Sequence, residues 1–210
     1  GKVVDTLEKK LKIEFLIIYF LIPLLVIFIN FFFSEQKIFV FLPLFLVFFL
    51  SLYLLKKTPS FSFDFLKKET EWKFFFLVSL IFIVSGFFYT IILDSNLLFN
   101  LPKNYFIVWV AVMLLYPIFS VIPQEIIFRV LFFERYSCLF KDRFLYLVLN
   151  SIIFAYIHLV FHNFHAFFIT LITSPIFAYA YLNKSFKTCF LVHTIGGQLV
   201  FTYGLGKFFY

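Results

Sequence analysis

The chain has 210 residues, 63% of them hydrophobic and only 14% charged. A soluble domain carries about 25% charged residues, so an ordinary globule with a polar shell is excluded. The net charge of +7 is not a nucleic-acid footprint: Lys and Arg fall in short connectors between apolar runs, where they set topology and meet anionic lipid headgroups.

Apolar runs of about 20 residues, the length of a transmembrane helix, recur along the chain. In order they cover residues 13–33, 38–55, 74–93, 105–133, 144–161, 166–182 and 188–203. They predict an all-α fold, a polytopic transmembrane helical bundle of about seven spans forming one membrane domain over residues 1–210. The first run has the basic flank of a signal peptide. It is too long for one, and it ends in Phe31-Phe32-Phe33-Ser34-Glu35 with no small-residue cleavage site; it is expected to be a retained helix. The connector 56–73 is polar and lysine-rich, and its Phe61 to Leu66 stretch has the composition of an interfacial helix. The fourth run is longer than one hydrocarbon thickness and contains Pro117 and Pro123. A kink or restart near Pro123 is expected, with Gln124 and Glu125 at the mouth of a new helical segment.

The basic residues alternate between connectors. Lys2, Lys9, Lys10 and Lys12 precede the first span, and Lys37 follows it. Lys56, Lys57, Lys67, Lys68 and Lys73 come next, then Lys103 alone, then Arg135, Lys141 and Arg143. The connector 162–165 has none, Lys184 and Lys187 follow, and Lys207 closes the series. This pattern places the N-terminus in the cytoplasm and the C-terminus outside. Cys138 and Cys189 both fall on the cytoplasmic side, without metal-type spacing and with no disulfide expected.

Few ionisable residues remain inside the spans: Glu14, Glu125, Arg129, His158 and His193. Glu14 lies near the start of its span and is expected to reach the interface as a solvated end. Glu125 and Arg129 are four residues apart and share a helix face. In hydrocarbon such a pair is costly, so it either ties two helices together or marks a functional site. His158 and His193 lie on two further segments, each a packing histidine or a partner of the pair. A carboxylate and two histidines from different helices are the smallest set that activates water. His158 and His162 also share a face, with His165 nearby, which raises zinc as an alternative. Leu159, however, stands where an HExxH site needs its glutamate, so no cofactor or metal is assigned.

Gln124-Glu125-Ile126-Ile127-Phe128-Arg129 resembles the EExxxR motif of the CAAX-protease and bacteriocin-processing family of intramembrane proteases, also called the Abi family. Phe154-Ala155-Tyr156-Ile157-His158 is similar to that family's FxxxH motif, and His193 falls where its third motif, HxxxN or a polar variant, begins. The resemblance covers residues 105–205; the helices of residues 1–104 are generic. It implies an integral protein of the bacterial inner membrane that cleaves a hydrophobic or prenylated peptide or a membrane-protein substrate. It also implies that Glu125 and His158 activate water, that Arg129 orients the glutamate, and that His193 helps hold the oxyanion. Two positions depart from the pattern. Gln124 replaces the first glutamate, and Gly197 stands at the expected Asn, with Gln198 one residue later. Either Glu125 is the base, with Gln124 and Gln198 as hydrogen-bond donors, or the chain is a non-cutting relative that acts as an immunity or scaffold protein. A third alternative is a small proton-coupled transporter using Glu125 and the histidines as a relay; it lacks the inverted repeats common in such folds.

Overall fold

A computed structural model describes residues 1–210. It is 86% helical without a strand, so the all-α expectation holds. Six helices are long and apolar enough to cross a membrane: α1 Lys2–Phe32, α2 Ile38–Lys56, α3 Trp72–Leu97, α4 Phe106–Leu139, α5 Arg143–Phe161 and α6 Phe164–Asn183. The last helix, α7 Phe186–Thr202, has 17 residues, at the short end of the spanning range. The protein is an integral membrane protein.

Three local features differ from the sequence expectations. First, α1 begins at Lys2, well before its apolar run. Its exposed first turns carry alternating charge, including a Lys12–Glu8 pair at 3.1 Å, the spacing that supports a solvated helix. Second, the connector before α3 forms only a single 3-10 turn, Phe63–Lys67, whose Phe65 packs edge-on against Phe186 at 5.3 Å. Third, α4 does not restart at Pro123 but stays helical through it. Widened π turns over Pro117–Val121 and Ile126–Leu131 flank an α turn over Ile122–Glu125. Proline has no N–H to donate to the carbonyl four residues before it, and a π-bulge absorbs the lost bond while the chain stays helical. For Pro117 that carbonyl belongs to Met113, and Gln198 Nε2 donates to it at 3.0 Å.

The chain forms two compact units, Gly1–Ser62 with Ile126–Ala178, and Phe63–Glu125 with Tyr179–Tyr210. α4 and α6 contribute residues to each. In the first unit, side chains cap the carbonyls of the second π segment and the turn after it. Tyr19 Oη donates to Ile127 O at 2.6 Å, Asn150 Nδ2 to Phe128 O at 2.6 Å, and Tyr146 Oη to Phe132 O. Glu14 is not a solvated end. Its carboxylate is gripped by Arg135 through Nε at 2.9 Å and Nη2 at 3.1 Å, and by Tyr136 Oη at 3.0 Å. Arg135 Nη1 also donates to Leu54 O and Thr58 Oγ1, so one guanidinium joins α1, α2 and α4. In the second unit, α7 packs against α3 and the first half of α4. Trp109 Nε1 donates to Thr202 Oγ1 at 2.9 Å. Ser185 caps the start of α7 by accepting from Thr188 N at 3.0 Å.

Candidate active site

The second unit brings two of the singled-out residues together. Glu125, the last residue of the α turn between the two π segments, is fully buried. Its Oε1 lies 2.6 Å from His193 Nδ1 on α7. Its Oε2 accepts from the Cys189 thiol at 3.1 Å. Cys189 and His193 are four residues apart, so α7 presents both on one face, and each takes one oxygen of the same carboxylate. An ionised carboxylate only accepts, so against it Nδ1 carries the ring proton. Tyr116 packs edge-on against the His193 ring, with centroids 6.4 Å apart.

Gln124 and Gly197 stand where the sequence departs from the family pattern, and both have local explanations. Gln124 Nε2 donates to Ser120 Oγ one turn earlier at 2.8 Å. Gly197 faces Tyr116: a Cβ there would lie 2.1 Å from the tyrosine oxygen, so the ring that supports His193 occupies the place of a side chain. The neighbouring Gln198 serves the bare Met113 carbonyl.

Arg129 and His158 belong to the first unit. Arg129 is fully buried and donates through Nη2 to Ser174 Oγ at 2.7 Å and to Ser174 O at 3.3 Å. Its guanidinium carbon is 4.3 Å from the Phe154 ring centroid and 5.8 Å from that of Phe177, both within cation–π range. His158 begins the 3-10 turn that ends α5, and its Nδ1 lies 2.6 Å from Phe154 O. A carbonyl can only accept, so Nδ1 bears the proton here as well. One residue, Phe154, thus carries the Arg129 cation on its ring and fixes the His158 tautomer through its backbone.

Residues 106–196 match a family described as type II CAAX prenyl endopeptidase Rce1-like. Over this segment the chain is similar to the CAAX-protease family. No curated protein and no solved structure matches the chain.

The matched segment contains Gln124, Glu125, Arg129, His158 and His193. The Glu125–His193 pair lies within the part that carries the likeness. No group of three or more His, Cys, Asp or Glu side chains is arranged as a metal-binding set. Cys189 is the site residue that sequence reasoning missed. Disulfide and metal spacing give it no role, but its place one helical turn before His193 is legible in the sequence.

Proposed function

We propose that the protein is an intramembrane endopeptidase in which the Glu125–His193 pair takes the proton from an attacking water. The observation that carries this is the 2.6 Å contact between Glu125 Oε1 and His193 Nδ1, with both side chains buried inside the family-matched segment. A carboxylate on Nδ1 holds the imidazole in one tautomer and stabilises the cation that forms when Nε2 accepts a proton, the logic of a carboxylate–histidine base. His193 then acts as base rather than as the oxyanion contact expected from the family pattern. Cys189 holds the second carboxylate oxygen in place. His158 and Arg129 keep the roles the resemblance implies, water activation and positioning, as separate proposals for the same assay. The substrate is a hydrophobic or prenylated peptide or a membrane protein, as suits a buried site in a membrane-spanning chain. No metal or other cofactor is part of this reading.

The decisive experiment is cleavage of a prenylated C-terminal peptide by the purified protein in detergent. Glu125→Gln and His193→Ala should each lower kcat by about 10²–10⁴-fold while the protein stays folded and monodisperse. Full activity in both variants rejects the assignment. His158→Ala and Arg129→Ala in the same assay test the two further roles. For topology, the exposed Cys138 should react with an impermeant maleimide only from the cytoplasmic side of a bacterial plasma membrane.

One observation favours a second reading, a non-cutting relative that binds its peptide as an immunity or scaffold protein. Gln124 is an amide that takes no proton at neutral pH, and it is tied to Ser120. Peptide binding by the parent protein, with no cleavage under any condition, selects this reading.

A further inference from the structure

Tyr116 ends the first α segment of α4, immediately before the π turn at Pro117. Its ring is wedged along one face of α7. It packs edge-on against His193, with centroids 6.4 Å apart, and against Phe201 at 5.6 Å. Between those two, Gly197 supplies the space: a Cβ there would lie 2.1 Å from Tyr116 Oη. His193, Gly197 and Phe201 recur every four residues and so share that face. All four residues belong to the second unit, with Glu125. The hydroxyl therefore sits on the His193 face of α7, one helical turn further along, about 6 Å.

That hydroxyl differs from those of the buried tyrosines. Tyr19, Tyr136, Tyr146 and Tyr203 each donate to a backbone carbonyl or a carboxylate, as a buried phenol normally does. Tyr116 Oη has no hydrogen-bond partner in the protein. Yet it is not among the polar atoms sealed from solvent, and the residue is only half-buried. Aromatic packing on both sides fixes its place, not a bond of its own. A donor that is fixed, unspent and open to a ligand needs no reorganisation when charge develops beside it. The proposed peptidase requires such a donor. With His193 serving as base, another group must meet the negative charge that forms on the attacked carbonyl.

We infer that Tyr116 is a catalytic residue of the proposed peptidase, its hydroxyl donating to the oxygen of the scissile carbonyl as that oxygen becomes anionic. Water adds to the carbonyl carbon through an oxygen lone pair and loses a proton to His193. The π pair of the carbonyl moves onto its oxygen, and Tyr116 donates a hydrogen bond to it without giving up its own proton. When the carbonyl re-forms, the C–N bond breaks and the amine leaves with the proton held by His193. A phenol is neutral before the attack, so it carries no charge into hydrocarbon. Glycine at position 197 then has a functional reason as well as a steric one: a side chain there would take the place from which the hydroxyl acts. This role rests on the proposed function and extends it to a residue outside the three motifs.

The test uses the full chain in detergent with a prenylated peptide substrate. Tyr116→Phe removes one oxygen and keeps the ring against His193 and Phe201. It should lower kcat about 10²–10³-fold, the usual loss for one oxyanion donor, with KM and the thermal midpoint unchanged. A second measurement reads binding alone. A peptide with a difluoromethylene ketone in place of the scissile amide takes up water to give a tetrahedral analogue of the intermediate. Tyr116→Phe should weaken its binding about tenfold or more, and leave binding of the matching reduced-amide peptide, which has no carbonyl, unchanged. An unchanged kcat in Tyr116→Phe, with Glu125→Gln impaired in the same assay, overturns this role and leaves the peptidase standing. A rise in KM at constant kcat also overturns it, by moving the hydroxyl to a ground-state contact with the substrate. A fall in kcat with a lower thermal midpoint and unchanged ketone binding shows the hydroxyl to be structural. A parent protein that never cleaves removes the peptidase reading and this role together.

Discussion

Glu125 and His193, 68 residues apart in the chain, meet at 2.6 Å inside one compact unit. Neither has solvent to fall back on, so each is held by the other. Removing one partner of a buried charged hydrogen bond costs more than the bond contributes, because the remaining group keeps its desolvation penalty. Glu125→Gln and His193→Ala should each lower kcat by about 10²–10⁴-fold, the usual range for loss of a positioned acid–base group. The double variant should be hardly worse than either single one, as for residues that act as a unit. Additive losses in a steady-state comparison of the four proteins would show that the two residues work independently.

Cys189 should prove to be a positioning residue. Its thiol donates to the carboxylate oxygen that His193 does not use, so it limits rotation of Glu125. Cys189→Ser keeps a donor at that point and should retain most activity. Cys189→Ala leaves Oε2 without it and should lower kcat about tenfold or more, in line with the 1.5–3 kcal/mol typical of a hydrogen bond to a charged group. N-ethylmaleimide supplies a second measurement. Exposed Cys138 should be modified first without loss of activity, and buried Cys189 later, with inactivation. Inactivation that tracks Cys138 labelling contradicts this role.

The long apolar runs carried most of the fold, because hydropathy over about 20 residues is a local property of the sequence. Contacts between distant residues were not legible in the same way. Glu14 read as a solvated end because its neighbours in sequence are charged and exposed; its partner, Arg135, is 121 residues away. Pro117 and Pro123 signal a kink or restart in α4, yet the sequence does not distinguish a restarted helix from one that widens into π turns. The difference rests on side chains such as Gln198 that satisfy the bare carbonyls from another helix. At the site, motif spacing singled out Glu125 and His193. Cys189 lies outside every motif.

Arg129 and Phe154 give a stability prediction separate from catalysis. The guanidinium lies 4.3 Å from the Phe154 centroid and is bonded to Ser174. Lysine keeps the charge but not the flat, stacked plane. Arg129→Lys and Phe154→Leu should each lower the thermal midpoint in detergent, with about 0.5–2 kcal/mol of the loss due to the cation–π contact. A double-mutant cycle should show coupling between them. Purely additive shifts would mean that Phe154 acts only as packing beneath the arginine.

Gly197 yields the sharpest steric test, because the family pattern expects a larger residue there. A Cβ at this position would lie 2.1 Å from Tyr116 Oη, 2.2 Å from Cζ and 2.3 Å from Cε1. The whole ring edge is in the way, not merely the hydroxyl, so Tyr116→Phe gives no relief. Gly197→Ala must push aside the ring that packs against His193. Overpacking of this kind costs about 1–3 kcal/mol, and the thermal midpoint should fall accordingly. Cleavage should fall with it, because the imidazole loses its edge-on support. Adding Tyr116→Leu to Gly197→Ala should restore stability but not activity, separating the clash from the support of the histidine. Gly197→Asn, which returns the family's residue, should behave like Gly197→Ala or worse. If it instead raises activity at unchanged stability, the Tyr116 contact is not what requires glycine at this position.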